Sequence, residues 1–142
     1  MPMSKGTDAH MKETKKRILD SVKERDSLAA VLNDHKLAAL GDAFINFAYS
    51  LALSNKRGVP SGARVKGSFL AEGLRRAGLR SYAASRVNRH DLADAAEALI
   101  VYAWLRDCIT LEESVALLEK SEDLAEGIRE LLEKIVHRVK LS

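Results

Sequence analysis

The chain has 142 residues, 46% of them hydrophobic and 5% aromatic, and its 23 basic and 20 acidic side chains leave a net charge of +3. That length suits one domain with its own core, and two prolines with almost no strand-like alternation argue for helices built on Leu, Ala, Ile and Val. The single cysteine, Cys108, excludes an intrachain disulfide and reads as a small core residue in a reducing compartment; no apolar run reaches membrane-spanning length, the polar N-terminus lacks a signal-peptide core, and the expected location is cytoplasmic.

Residues 1–10 are polar and expected to be disordered, leaving 11–142 as the helical domain. Lys12–Lys23 carries Ile18, Leu19 and Val22 as a narrow apolar stripe, which predicts a surface helix. Asp26 or Ser27 can cap a short helical piece, Leu28–Leu32, and Asn33 and Asp34 mark a break. From His35 to Ser54, Leu37, Leu40, Phe44, Ile45, Ala48, Leu51 and Ala52 recur at helical spacing and predict a long helix with that face buried. Asn55–Gly67 holds three glycines and Pro60 and is the longest irregular connection, equally compatible with a functional loop and a plain linker.

Val65–Ala77 reads as a helix with Phe69, Leu70, Gly73 and Leu74 inward and Gly78 as its C-cap. Arg80–Ser85 reads as a short helix. Asn88 or His90 precedes the most apolar helix, Asp91–Leu105, which should end near Asp107. Thr110–Glu113 is a capping box for a helix ending near Lys120. Ser121 can cap a last helix, Glu122–Val139, with Leu124, Ile128, Leu131, Leu132, Ile135 and Val136 on one side. The sum is an all-α single domain of about six or seven helices.

The chemistry concentrates in two apolar stretches. Asp91–Leu105 carries Asp94 and Glu97 at i and i+3, on one helical face. Leu37–Phe47 carries Asp42 between Gly41 and Ala43. Small residues on both helices (Ala38, Ala39, Gly41 and Ala43; Ala93, Ala95, Ala96 and Ala98) would let the backbones approach, so that Asp42 faces Asp94 and Glu97. Three converging acids form a hard-oxygen site of the kind Mg²⁺ or Mn²⁺ prefers. The spacing leaves a plainer reading open, in which Asp94 pairs with an arginine and Asp42 caps a turn.

Charge is segregated along the chain. Between Asn55 and His90 nine basic residues, Lys56, Arg57, Arg64, Lys66, Arg75, Arg76, Arg80, Arg86 and Arg89, face one acid, Glu72. Between Asp91 and Glu133 twelve acids face Arg106, Lys120 and Arg129. An arginine-rich block suits a phosphate backbone; the alternative is a solvated face that pairs with the acidic half. A P-loop, a dinucleotide glycine fingerprint and His or Cys spacings for zinc are missing, and Tyr82, Tyr102 and Trp104 are too few for a base-stacking platform.

L-x-x-L-G-D-A at Leu37–Ala43 resembles the signature of ribonuclease III catalytic domains, A-D-A-A-E-A-L-I at Ala93–Ile100 resembles the second block of that family, and Leu70–Leu79 resembles the stretch between them. The resemblance implies the helical endonuclease fold of the family. It also implies a divalent-metal-dependent endoribonuclease acting on structured or double-stranded RNA, with Asp42, Asp94 and Glu97 holding Mg²⁺ or Mn²⁺. Glu72, inside the matched L-A-E segment, is a lesser candidate for a further metal or supporting ligand. The nine basic residues of the block would grip RNA by its backbone. Departures fall at Ala38, where the family has a fourth acidic ligand, at His35 for the first glutamate of the signature, and at Ala39 for the aromatic that wedges into a partner subunit. The short branch of the family likewise lacks the fourth glutamate. With the matched segments covering most of these residues, a separate double-stranded RNA-binding domain is not expected within them. The family also implies a homodimer, with Leu37, Leu40, Phe44, Phe47 and Trp104 as apolar candidates for the contact. The loss at Ala38 keeps open a second function, a non-catalytic RNA-binding or ribosome-associated protein on the same fold.

Overall fold

A helix that is apolar over most of its surface belongs in the interior, and the stretch Arg89–Leu105 runs there. Leu92, Ala95, Ala96, Ala98, Leu99, Ile100, Val101, Tyr102 and Ala103 are each at most 1% exposed. The computed structural model of the chain describes residues 5–22, 25–83 and 89–141. Among the described residues the fold is all-α, with no strand. Its helices are α1 (Lys5–Ser21), α2 (Leu28–Leu32), α3 (His35–Arg57), α4 (Gly67–Arg76), α5 (Arg89–Leu105), α6 (Leu111–Lys120) and α7 (Leu124–Val139), with one 3-10 turn at Arg80–Tyr82. Helix α5 packs against α1, α2, α3, α4 and α7, while α6 closes on α3 and α7, and α4 on α7.

Short polar side chains set the helix starts. Ser27 accepts the Ala30 amide, Asp34 accepts that of Leu37 at 2.9 Å, and Thr110 and Glu113 form the expected reciprocal box. The last helix departs from expectation: its cap is Asp123, not Ser121, and it begins at Leu124. Asp123 accepts the Ala125 amide at 3.1 Å and so ends the turn two residues later than Ser121 would. Helix α1 begins at Lys5, so residues 5–10, expected to be disordered, are helical. Asp8 in its first turn favours the start through the helix dipole. The short helix expected over Arg80–Ser85 is a 3-10 turn ending at Tyr82; residues 84–88, which include Asn88 and Arg86, lie outside the described residues.

Helix α3 buries Leu37, Ala38, Gly41, Ile45, Ala48 and Ala52. Leu40, expected inward, is 36% exposed, and Phe44 and Leu51 are half-buried. The buried line follows the small residues because they allow α3 and α5 to touch backbone to backbone. A Cβ built on Gly41 would stand 2.0 Å from the Glu97 carbonyl oxygen and 2.5 Å from its carbon. By length and composition α3 also passes as a membrane span, with a mean hydropathy of 1.3, which corrects the expectation that no segment reaches that length. Its packing against α5 and α6 accounts for the apolarity as that of a core helix.

Candidate functional site

The Gly41 contact sets the position of everything near it. With the backbones touching, Asp42 on α3 and Glu97 on α5 are carried to the same cleft, about 390 Å³, lined by Asp42, Arg64, Val65, Lys66, Gly67, Leu70, Ala93, Asp94 and Glu97. Asp42 and Glu97 act on each other's charge across the crossing. Glu97 is 6% exposed. Its burial, the Asp42 carboxyl and the charge of Asp94 push its pKa up to about 8, against the pull of Arg64. The raised pKa favours a protonated Glu97 at neutral pH, facing an ionised Asp42. Burial works against the charge on Asp42, but Glu97, the Arg64 guanidinium and the Asn46 amide together hold its carboxyl below the usual range. Arg64 Nη2 lies 3.1 and 3.0 Å from the two Asp42 oxygens.

Three further side chains on α3, Asn46, Ser50 and Ser54, hold the loop that carries Arg64, and none of them is a candidate from the sequence. Asp42, Asn46, Ser50 and Ser54 recur every four residues and form one polar line. The connection from Gly58 to Lys66 lies antiparallel along it. Ser54 Oγ accepts the Ser61 amide at 2.9 Å, while its own proton lies between the Ser50 carbonyl at 2.8 Å and the Ser61 carbonyl at 3.2 Å. Ser50 Oγ donates to the Ala63 carbonyl and accepts its amide, at 3.1 and 3.0 Å. Asn46 accepts the Val65 amide at 2.7 Å and donates to Asp42 at 3.0 Å. Four helical residues rise about 6 Å and two extended residues about 6.6 Å, so alternate loop residues meet every fourth helical one. The spacing D-x3-N-x3-S-x3-S was the available signal. The loop is thereby a fitted part of the site.

The other sequence candidates divide. Glu72 is not at the cleft. It lies two residues beyond Leu70 on α4, about 200° around the helix, and pairs with Arg75 at 3.6 Å and Arg76 at 3.0 Å. Arg76 also bridges to Asp123 at 2.8 Å and Glu126 at 3.4 Å. Basic block and acidic half therefore do pair at this point, and Arg76 is committed to the fold. Lys66 and Arg64 face the acids, and Lys56, Arg57, Lys66 and Arg80 are exposed without an ion pair among the described residues. Arg86 and the Arg89 side chain lie outside the described residues. Of the apolar candidates, Leu37 is core at 2% exposed. Phe44 stacks on half-buried Trp104 at 5.5 Å between centroids, while Leu40 and Phe47 stay exposed, Phe47 at 56%.

By donor chemistry the cleft fits a hard divalent ion: Asp42, Asp94 and Glu97 offer carboxylate oxygen only. Three acids against the two cations Arg64 and Lys66 leave the cleft an excess of acidic groups that an ion would offset. By distance the cleft is unassembled. Asp94 acts on Glu97 through its charge, and among the described residues no three His, Cys, Asp or Glu side chains are gathered to hold one ion. A family model described as ribonuclease III matches residues 35–140, from the first residue of α3 to the one after α7. No curated protein matches the chain.

Proposed function

The chain belongs to the ribonuclease III family, and on that premise we propose that it is a divalent-metal-dependent endoribonuclease acting on structured or double-stranded RNA. The observation that supports this most is the carboxyl pair of Asp42 and Glu97 across the α3–α5 crossing, in a cleft that also presents Arg64 and Lys66. Asp42, Asp94 and Glu97 would hold Mg²⁺ or Mn²⁺. Such an ion, when bound, supplies Lewis-acid charge to a phosphodiester and eases deprotonation of water. The protein's part is to deliver hard oxygens from two rigid helices, to release the Glu97 proton, and to hold phosphate with Lys66 and Arg64. Val65, Leu70 and Ala93 wall the cleft with apolar surface.

Cleavage of both strands of a duplex calls for two such clefts, and we take the working form to be a cytoplasmic homodimer. Ala39, Leu40, Ala43 and Phe47 form an exposed apolar line on α3 that suits an isologous contact without an aromatic wedge. A second reading, a non-catalytic RNA-binding or ribosome-associated protein, is favoured by one observation. Ala38, where a fourth acid would stand, is 5% exposed and part of the core. A nuclease assay on long double-stranded RNA with Mg²⁺ or Mn²⁺ against EDTA separates the two. Cleavage that EDTA abolishes is the expected result, and tight binding without cleavage selects the second reading.

A further inference from the structure

Asp42 already has donors on both of its oxygens. Arg64 Nη2 lies 3.1 and 3.0 Å from the two, and Asn46 Nδ2 donates to one of them at 3.0 Å. An ion that binds Asp42 must compete with these donors. Asn46 is held from its other end by the Val65 amide at 2.7 Å. The Arg64 side chain is 75% exposed. The backbone on either side of it is pinned, through Ala63 to Ser50 and through Val65 to Asn46. The guanidinium can therefore swing while its Cα stays at the rim of the cleft, on the side where Lys66 already stands.

We propose that Arg64 is the displaceable counter-cation of this cleft: a divalent ion and the guanidinium compete for Asp42, and the arginine freed by the ion is presented to the RNA phosphate. The inference rests on the metal-dependent reading above and adds to it a positive coupling between ion and RNA, which must hold in both directions. An arginine fork suits both partners in turn, since carboxylate and phosphate present the same spacing of oxygens.

The test uses the full chain, as wild type, Arg64→Ala and Arg64→Lys. Mn²⁺ binding is followed by the magnetic-resonance signal of the free ion. Affinity for a blunt RNA duplex is measured in Ca²⁺ and in EDTA. Arg64→Ala should bind Mn²⁺ roughly 1.5- to 5-fold more tightly, the range that an exposed ion pair accounts for, with Arg64→Lys between it and wild type. Wild type should bind RNA more tightly in Ca²⁺ than in EDTA, and Arg64→Ala should lose most of that gain. Equal or weaker Mn²⁺ binding by Arg64→Ala overturns the proposal, because an arginine that merely held the loop would, on removal, loosen the cleft. A gain that persists in Arg64→Ala overturns it too. Failure of every form to bind Mn²⁺ removes the metal-dependent reading and this inference together. Mn²⁺ affinities in the expected order without any RNA cleavage leave the role of Arg64 standing and remove only the nuclease.

Discussion

Glu97 is buried, yet two other acids, Asp42 and Asp94, act on its charge. A carboxyl whose folded pKa lies near 8 binds a proton that the unfolded chain has already lost above its ordinary value of 4.5. Between those values the native state holds more protons, so its stability falls as pH rises and levels off above about 8. Glu97→Gln should remove that slope, because its amide carries no charge. Urea unfolding at about pH 5.5 and about pH 9 checks this: the variant should match wild type at the lower pH and exceed it at the higher one. Parallel loss in both proteins would show that Glu97 titrates as an ordinary surface acid. The same variant should lose RNA cleavage. At this scale the candidate cleft was legible where a residue type is unusual in its place: Asp42, Asp94 and Glu97 stand out as acids in apolar helices and all line it, without being gathered on one point. Asn46, Ser50 and Ser54 were not legible, since single polar residues on a long helix look like ordinary solvent contacts. Arg64 was visible only as one cation among nine.

The helices themselves were readable because apolar spacing and caps agree over most of the chain, as at Thr110–Glu113. Boundaries slipped where two capping residues compete within three positions, as Ser121 and Asp123 do. The buried face of α3 was misjudged at Leu40 because large apolar side chains were taken as the inward signal, whereas the close approach to α5 is set by Gly41. Gly41→Ala tests that point. Its new methyl would meet backbone atoms of Glu97, which cannot step aside as a side-chain end can. The cost should be about 1–3 kcal/mol or more, read by urea unfolding, with metal-dependent activity falling beyond what the lost stability explains. A neutral Gly41→Ala would mean that the helices cross farther apart than described.

Across the whole molecule, a net charge of +3 conceals a basic stretch and an acidic one. The fold partly joins them, at Arg76 with Asp123 and Glu126, and leaves Lys56, Arg57, Lys66 and Arg80 outward. Sequence order could not make that division, because which arginines meet acids depends on how α4 packs on α7. Lys66→Glu with Arg80→Glu should weaken RNA binding alike for different sequences and flatten the log-log salt slope by about 1.5, at about 0.7–0.9 per contact. Arg76→Glu should instead act mainly on stability, through the loss of its three acidic partners. Filter binding over a salt series, beside thermal unfolding, distinguishes the two outcomes. The proposed dimer is a separate question. Light scattering should give about twice the 15.6 kDa chain mass, and Phe47→Glu should return the single-chain value by placing charge at the centre of the contact. A wild-type monomer would shift the balance towards the non-catalytic reading.

The matched repeat of α3 and the loop beside it constrains chain length unevenly. A residue inserted between Gly58 and Pro60 would enlarge an exposed turn and leave the pins in place. One inserted between Ser61 and Val65 would change the parity of the segment. The amides of Ser61, Ala63 and Val65 could then no longer all meet Ser54, Ser50 and Asn46, and the pins that together hold Arg64 beside Asp42 would be broken on one side. Insertions and deletions should therefore be tolerated on one side of Ser61 and excluded on the other, a boundary with no mark in hydrophobicity or charge.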